Sequence, residues 1–151
     1  MSRESKILQA KVLDPQQTIY HYESFGWELL SLNGKQITMT RETQNPVYAD
    51  LVKHQAKYEE LEAKYAAVRN PEPPKRPAPF SLGTCLLLLI LAVLPGALYI
   101  AYKVYKNKLF KEAVATYQAQ LKAANNKRAA ILAEMESVAL ESRGIFFSRQ
   151  N

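Results

Sequence analysis

The chain has 151 residues, and its charges and apolar residues are unevenly distributed. It holds 20 Lys and Arg against 14 Asp and Glu, for a formal charge of +6, and 48% of its residues are hydrophobic. A single Cys excludes a framework of internal disulfides, and with only two His it argues against a structural zinc site. The sequence has no glycine-rich phosphate loop, nucleophile elbow or carboxylate pair. We therefore expect a protein that is not an enzyme and that has no catalytic residues, metal or cofactor.

The first 44 residues are predicted to form a small α+β domain with the element order β-α-β-β. Apolar and polar residues alternate over residues 7–12, as in a half-buried strand. Asp14 followed by proline is a favourable start for a short helix, and Gly26 is well placed to end it.

A hairpin is predicted after this helix, because Asn33-Gly34 separates two strand-like runs. A domain of this size with neither metal nor disulfide is near the lower limit for independent stability. We therefore expect the next helix, or a second copy, to cover its sheet.

Part of this domain resembles a known family. The stretch from Tyr22 to Leu32, which contains Gly26-Trp27-Glu28, resembles a family of small bacterial β-α-β-β domains of unknown function with a Gly-Trp-Glu signature. The resemblance covers residues 5–42. It implies the same α+β fold and a bacterial source, and it brings no activity.

The aromatic residues near the end of the short helix are a possible ligand or interaction surface, formed by Tyr20, His21, Tyr22 and Trp27. His21 and Glu23 are two positions apart and therefore lie on different helix faces, so no His–carboxylate dyad is expected.

Two amphipathic helices are predicted outside this domain. Residues 45–70 form one, with Asn45 as its cap, and residues 103–144 form a long coiled-coil-like helix that stops near Gly144, followed by a tail at 145–151. The heptad spacing predicts an interaction seam made of Leu51, Tyr58, Leu61, Tyr65, Phe110, Val114, Tyr117, Leu121, Ile131, Met135 and Val138.

The segment between these helices is predicted to cross a membrane. Residues 71–79 are a Pro-rich linker, and no charged residue occurs between Arg76 and Lys103. A bilayer requires about 20 apolar residues, so we predict a single transmembrane helix at 80–102, kinked at Pro95. The alternative is a re-entrant hairpin that turns at Pro95-Gly96. Four basic residues would lie beside the lipid headgroups: Lys103, Lys106, Lys108 and Lys111.

These features together predict a single-pass protein of the bacterial plasma membrane whose N-terminal domain is cytoplasmic. It would be a scaffold or accessory subunit that acts through protein–protein contacts. The expected partners are the lipid bilayer and a protein, or a second copy bound through the heptad helices. The alternative function is a membrane-tethered sensor whose small domain binds a small ligand. No nucleic acid is expected, because the basic excess lies beside the apolar run and the small domain is nearly neutral.

Overall fold

The computed structural model describes residues 2–79, 81–91 and 93–148, and it leaves the side chains of residues 85, 88–91 and 93–96 outside that description. The elements in chain order are β1 (Arg3–Gln9), α1 (Pro15–Glu23), β2 (Trp27–Asn33), β3 (Gln36–Glu42), α2 (Tyr48–Ala67), α3 (Leu82–Leu91) and α4 (Val93–Ser148). The chain divides into two compact units. The first contains the residues up to 69 and those from 126 onward, and the second contains residues 70–125.

The three strands of the first unit form one antiparallel sheet in the order β1-β3-β2. β1 pairs with β3 along its whole length, from Arg3 opposite Glu42 to Gln9 opposite Gln36. β2 pairs with the other edge of β3, with an irregularity between Leu29 and Ser31. The predicted α+β class is therefore confirmed, and so is the strand–helix–hairpin order of the first 44 residues.

The local signals for α1 act as the sequence predicted. The Asp14 carboxylate accepts a hydrogen bond from the Gln17 backbone N–H at 3.0 Å and so caps the helix. Gly26 has φ +79°, a left-handed conformation that favours glycine, and it redirects the chain into β2.

Two boundaries differ from the prediction. β1 begins at Arg3, four residues before the alternating run, because its register is set by pairing with the full length of β3. The hairpin turn consists of Gly34 and Lys35, and only Gly34 has a positive φ. A two-residue turn with a positive φ at its first position places glycine there, so Asn33 belongs to the strand.

The core of the first unit lies between the sheet and three helices. α1 and α2 contribute buried aromatic and aliphatic side chains, and the last part of α4 adds Met135, Val138 and Ala139. The expected cover of the small sheet therefore comes from two helices of the same chain. α4 also continues through Gly144 to Ser148, where the sequence predicted a stop.

α2 and the last part of α4 lie side by side in opposite directions. His54 on α2 is 3.8 Å from Glu141 on α4, measured from Nε2 to Oε1. At the C-cap of α2, the Val68 carbonyl accepts a hydrogen bond from the Arg128 guanidinium at 2.6 Å. As residue numbers rise on α2 they fall on α4, so the two helices are antiparallel.

The second unit corrects the prediction of a transmembrane helix. Within the described residues, no helix combines the length and the apolar character needed to span a bilayer. α3 has ten residues, which rise about 15 Å against a hydrocarbon core of about 30 Å. α4 reaches Lys103, Lys106 and Lys108 before its apolar stretch is long enough.

The two ends of the apolar run also lie close together. The Lys103 ammonium donates hydrogen bonds to the carbonyl oxygens of Ala78 at 3.0 Å and of Pro79 at 3.4 Å. One continuous helix over residues 80–102 would hold these ends roughly 35 Å apart. The chain therefore reverses direction between them, and the predictions of a single-pass protein and of a plasma-membrane location were wrong. Phe80 and the side chain of Pro95, where the kink was predicted, lie outside the described residues.

Candidate interaction sites

An aromatic cluster occupies the centre of the first unit. Tyr22 is buried, with its ring centroid 6.0 Å from that of Phe25 and 5.9 Å from that of Tyr58, both in edge-on arrangements. Burial raises the pKa of the Tyr22 phenol far above its usual value, and nearby Glu59 and Glu62 raise it further. Tyr22 is therefore a neutral core residue.

His21 lies at the edge of this cluster. Its Nδ1 is 2.8 Å from the Tyr58 hydroxyl, and burial lowers its pKa, an effect that Glu136 on α4 opposes. His21 and the exposed Tyr20 line a shallow groove of about 360 Å³ that Leu132 and Glu136 close on the α4 side. The neutral imidazole therefore acts chiefly as a hydrogen-bond partner of a buried phenol.

A buried cation, which the sequence analysis missed, ties the sheet to α2. The Arg41 guanidinium is 5% exposed, and its Nε donates to a Glu4 carboxylate oxygen at 2.6 Å. It also donates to the Gln55 side-chain carbonyl at 2.9 Å and lies over the rings of Trp27 and Tyr48, 4.5 and 4.8 Å from their centroids. The Gln55 carbonyl accepts a second hydrogen bond, from the Trp27 indole, at 2.9 Å.

The same polar network continues from Gln55 through Glu59 on α2 to Lys6 on β1. The Gln55 amide donates to Glu59 at 2.8 Å, and Glu59 also accepts from Lys6 and from the Tyr22 hydroxyl. Burial would raise the pKa of Glu59, but these three hydrogen bonds hold it below its usual value. The sequence signal for this network was the alternation of Glu4 and Lys6 with outward residues, which precedes the run that we assigned to the strand.

A groove lies where the free edge of β2 meets the end of α4. Its volume is about 520 Å³, and we call it the β2-edge groove. Its lining consists of Glu23, Gly26, Trp27, Glu28, Leu29, Arg143, Phe146 and Phe147. The half-buried Phe146 explains why α4 continues past Gly144, because its ring packs close to the Gly26 backbone.

The second unit exposes a set of apolar side chains, which we call the hairpin surface. Each is more than half exposed: Leu82, Leu86, Leu87, Leu98, Tyr102, Val104 and Tyr105. Lys103 and Lys106 extend over the rings of Tyr99 and Tyr102, with Nζ 5.6 and 5.5 Å from the centroids. The basic residues Lys103, Lys106, Lys108 and Lys111 therefore flank this surface on α4.

The predicted seam residues fall into two groups. Leu51, Tyr58, Leu61, Met135 and Val138 are buried in the first unit, with Tyr65 and Ile131 half-buried beside them. Phe110, Val114, Tyr117 and Leu121 are half-buried in the second unit. Within the first group, Tyr58 and Leu61 of α2 share one core cluster with Met135 and Val138 of α4 in the same chain.

The four predicted interaction residues do not share a pocket. Tyr20 and His21 line the shallow α1–α4 groove, and Trp27 lines the β2-edge groove. Tyr22 borders a third cleft, of about 420 Å³, beside Lys6 and Glu59. Within the described part of the chain, no group of three or more His, Cys, Asp or Glu residues could hold a metal ion.

The Gly-Trp-Glu signature has a structural explanation. Gly26 supplies the positive φ, Trp27 is buried against Arg41 and Gln55, and Glu28 is exposed at the start of β2.

No protein-family model matches this chain, and no curated protein or solved structure matches it either.

Proposed function

We propose that this protein is a non-catalytic scaffold subunit that assembles with further copies of itself through the hairpin surface. The observation that supports this is the concentration of large apolar side chains, each more than half exposed, in the second unit. Monomeric proteins rarely expose large apolar patches, and patches of that kind mark interaction sites.

The charge pattern favours contact between apolar surfaces. No charged residue occurs between Arg76 and Lys103, so copies can meet over residues 82–98 without removing a charge from water. The Lys residues from 103 onward follow this stretch in the chain and would stay in contact with solvent.

A second copy is the occupant that we favour, because closed homo-oligomers are the commonest assemblies and a self-complementary patch needs no other protein. The heptad seam of the first unit is less suitable. Tyr58 and Leu61 of α2 are already buried in one core cluster with Met135 and Val138 of α4, so a coiled coil between copies would have to displace the core.

Sedimentation velocity of the full chain in detergent-free buffer tests this proposal. We expect the wild type to be oligomeric and the double variant Leu87→Lys/Leu98→Lys to be monomeric, because each Lys would place a charge in the apolar contact. The matched control is Leu140→Lys, which changes a 54% exposed leucine of α4 in the first unit and should leave the oligomer intact.

Three results would contradict the proposal. They are a monomeric wild type, an oligomer that survives the double variant, and a chain that binds lipid vesicles without binding itself. Trp27 is the only tryptophan and is buried in the first unit, so its unchanged fluorescence would show that each variant is folded.

A further inference from the structure

The β2-edge groove lies beside backbone groups that have no strand partner in the described chain. Among the described strands only β3 pairs with β2, so the outer N–H and C=O groups of β2 face away from the sheet. Edge strands of this kind are templates for pairing with another chain. Proteins commonly protect them with Lys or Pro, and β2 contains neither.

The groove and its strand are unusually apolar for an exposed position. Leu29 on β2 and Phe147 on α4 both line the groove and are 42% and 50% exposed, and Leu30 and Leu32 of the same strand are exposed as well. Phe146 and Trp27 add further apolar surface to the lining. A strand added to β2 could therefore place one apolar side chain between the strand and α4.

Arg143 gives the groove a charge that lacks a counterpart. Its guanidinium lies 4.5 Å from the Tyr20 ring centroid and 5.7 Å from that of Phe147. Among the described residues it has neither an ion pair nor a hydrogen bond, although Glu23 and Glu28 also line the groove. Ring contacts hold the planar group while its N–H donors stay open, and those donors match the geometry of a carboxylate.

We propose that the β2-edge groove binds an extended peptide segment of a partner protein, which adds to β2 as a fourth strand. One apolar side chain of the segment would occupy the space between Leu29 and Phe147. A carboxylate of the segment, from an acidic side chain or a chain terminus, would accept hydrogen bonds from Arg143. Backbone pairing would supply affinity and these two contacts would supply specificity.

The test uses the full chain and synthetic octapeptides in which Thr alternates with Leu, Val or Phe. One set is acetylated and amidated and carries a single Glu, and a second set has Gln in its place. A third set has the Gln and a free C-terminal carboxylate. Binding is followed by the fluorescence of Trp27, which lines the groove.

We expect a carboxylate-bearing set to bind about tenfold more tightly than the Gln amides, because a hydrogen bond to a charged group is worth about one order of magnitude in affinity. The Glu and free-terminus sets distinguish the two sources of the carboxylate. Arg143→Gln should remove the preference, and Arg143→Lys should retain only part of it. Arg3→Gln is the matched control, because Arg3 is an exposed cation on β1, the opposite edge strand.

The proposal is overturned if no peptide of any set binds, or if the folded Arg143→Gln variant keeps the carboxylate preference. It is also overturned if Arg143→Gln dissociates the oligomer, because the groove would then hold a second copy. The Leu87→Lys/Leu98→Lys variant, which tests the hairpin surface, should bind peptides as the wild type does.

Discussion

Arg41 is a buried cation whose stabilising effect depends on several partners at once. Its guanidinium hydrogen-bonds to Glu4, to the Phe25 carbonyl at 3.2 Å and to Gln55. Removing one member of such a buried group leaves the other polar atoms without partners, and that is more costly than losing an exposed ion pair.

We expect Arg41→Met to lower the free energy of unfolding by about 3–5 kcal/mol, the range for breaking a buried charge pair. Arg41→Lys should fall between it and the wild type, since an ammonium cannot reproduce the guanidinium fork. Urea denaturation followed by Trp27 fluorescence measures the difference. The control Arg3→Met changes an exposed cation and should stay within about 0.5 kcal/mol. Equal effects of the Arg41 and Arg3 variants would contradict the role of the network.

His21 makes the stability of the first unit dependent on pH. Burial lowers its pKa below the ordinary value of 6.5, so the unfolded chain binds a proton more readily than the folded one. The stability from neutral His21 is thus fully present above pH 6.5 and is lost as the pH falls from 6.5 towards the lowered pKa.

We expect the unfolding free energy of the wild type to fall more steeply below pH 6.5 than that of His21→Gln. Urea titrations across this range measure both slopes. The comparison isolates His21 from the other titrating groups, which both proteins share. Identical slopes would show that His21 has the same pKa in the folded and unfolded chains.

Two glycines connect secondary-structure elements, Gly26 between α1 and β2 and Gly34 between β2 and β3, and they differ in how closely other side chains approach them. Both glycines have positive φ, but a Cβ at Gly26 would lie 3.2 Å from Leu51 Cδ1, whereas a Cβ at Gly34 would have nothing within 4 Å. Gly144 lies inside α4, also with no neighbour within 4 Å.

The three alanine variants should therefore change the free energy of unfolding by different amounts, and one of them in the opposite direction. Gly34→Ala should cost about 1–2 kcal/mol for the left-handed backbone alone, and Gly26→Ala should cost more because Leu51 must move. Gly144→Ala should stabilise the chain by about 0.5–1 kcal/mol, the helix preference of alanine over glycine. Thermal and urea unfolding measure the series. A destabilising Gly144→Ala would show that the helix does not continue through this position.

The antiparallel contact of α2 with α4 has a direct mutational test. Met135 and Val138 are buried in the core that α1 and α2 line, whereas Leu140 on the same helix is 54% exposed. We expect Met135→Ala to cost about 2–5 kcal/mol through the cavity it leaves. Leu140→Ala should stay within about 0.5 kcal/mol. Similar effects of the two variants in urea denaturation would contradict the packing of α4 in this core.

For the whole chain, most of the excess positive charge lies in the second unit. Residues 70–125 contain seven basic and two acidic residues, a net +5, while the rest of the chain is +1. Copies that meet through the hairpin surface therefore bring together second units of the same charge.

Because salt screens this repulsion, we expect self-association to strengthen as NaCl rises from about 0.05 M to about 0.5 M. Replacing Lys106 and Lys108 with Gln should reduce that dependence, and replacing Lys35 and Lys53 of the first unit should not. Sedimentation equilibrium gives the association constants. Dissociation at high salt would mean that opposite charges hold the oligomer together and that the apolar contact is not its main support.

Local sequence was enough to establish α1, the β2–β3 hairpin and the α+β class. These features depend on interactions within a few residues of the chain. They are the N-cap carboxylate, the glycine with a positive φ, and the alternation of apolar and polar residues along a strand. Five residues of the predicted seam are buried in the first unit: Leu51, Tyr58, Leu61, Met135 and Val138.

Tertiary structure alone decided which elements meet. The apolar run was long enough for a straight span, and only the contact of Lys103 with Ala78 and Pro79 shows that its ends come together. Periodicity identifies the face that a helix buries, but it carries no information about the partner, so the pairing of α2 with α4 had to be observed. The burial of Arg41 had the same origin: its partners, Glu4 and Gln55, are far from it in sequence and are brought together only by the packing of the sheet against α2.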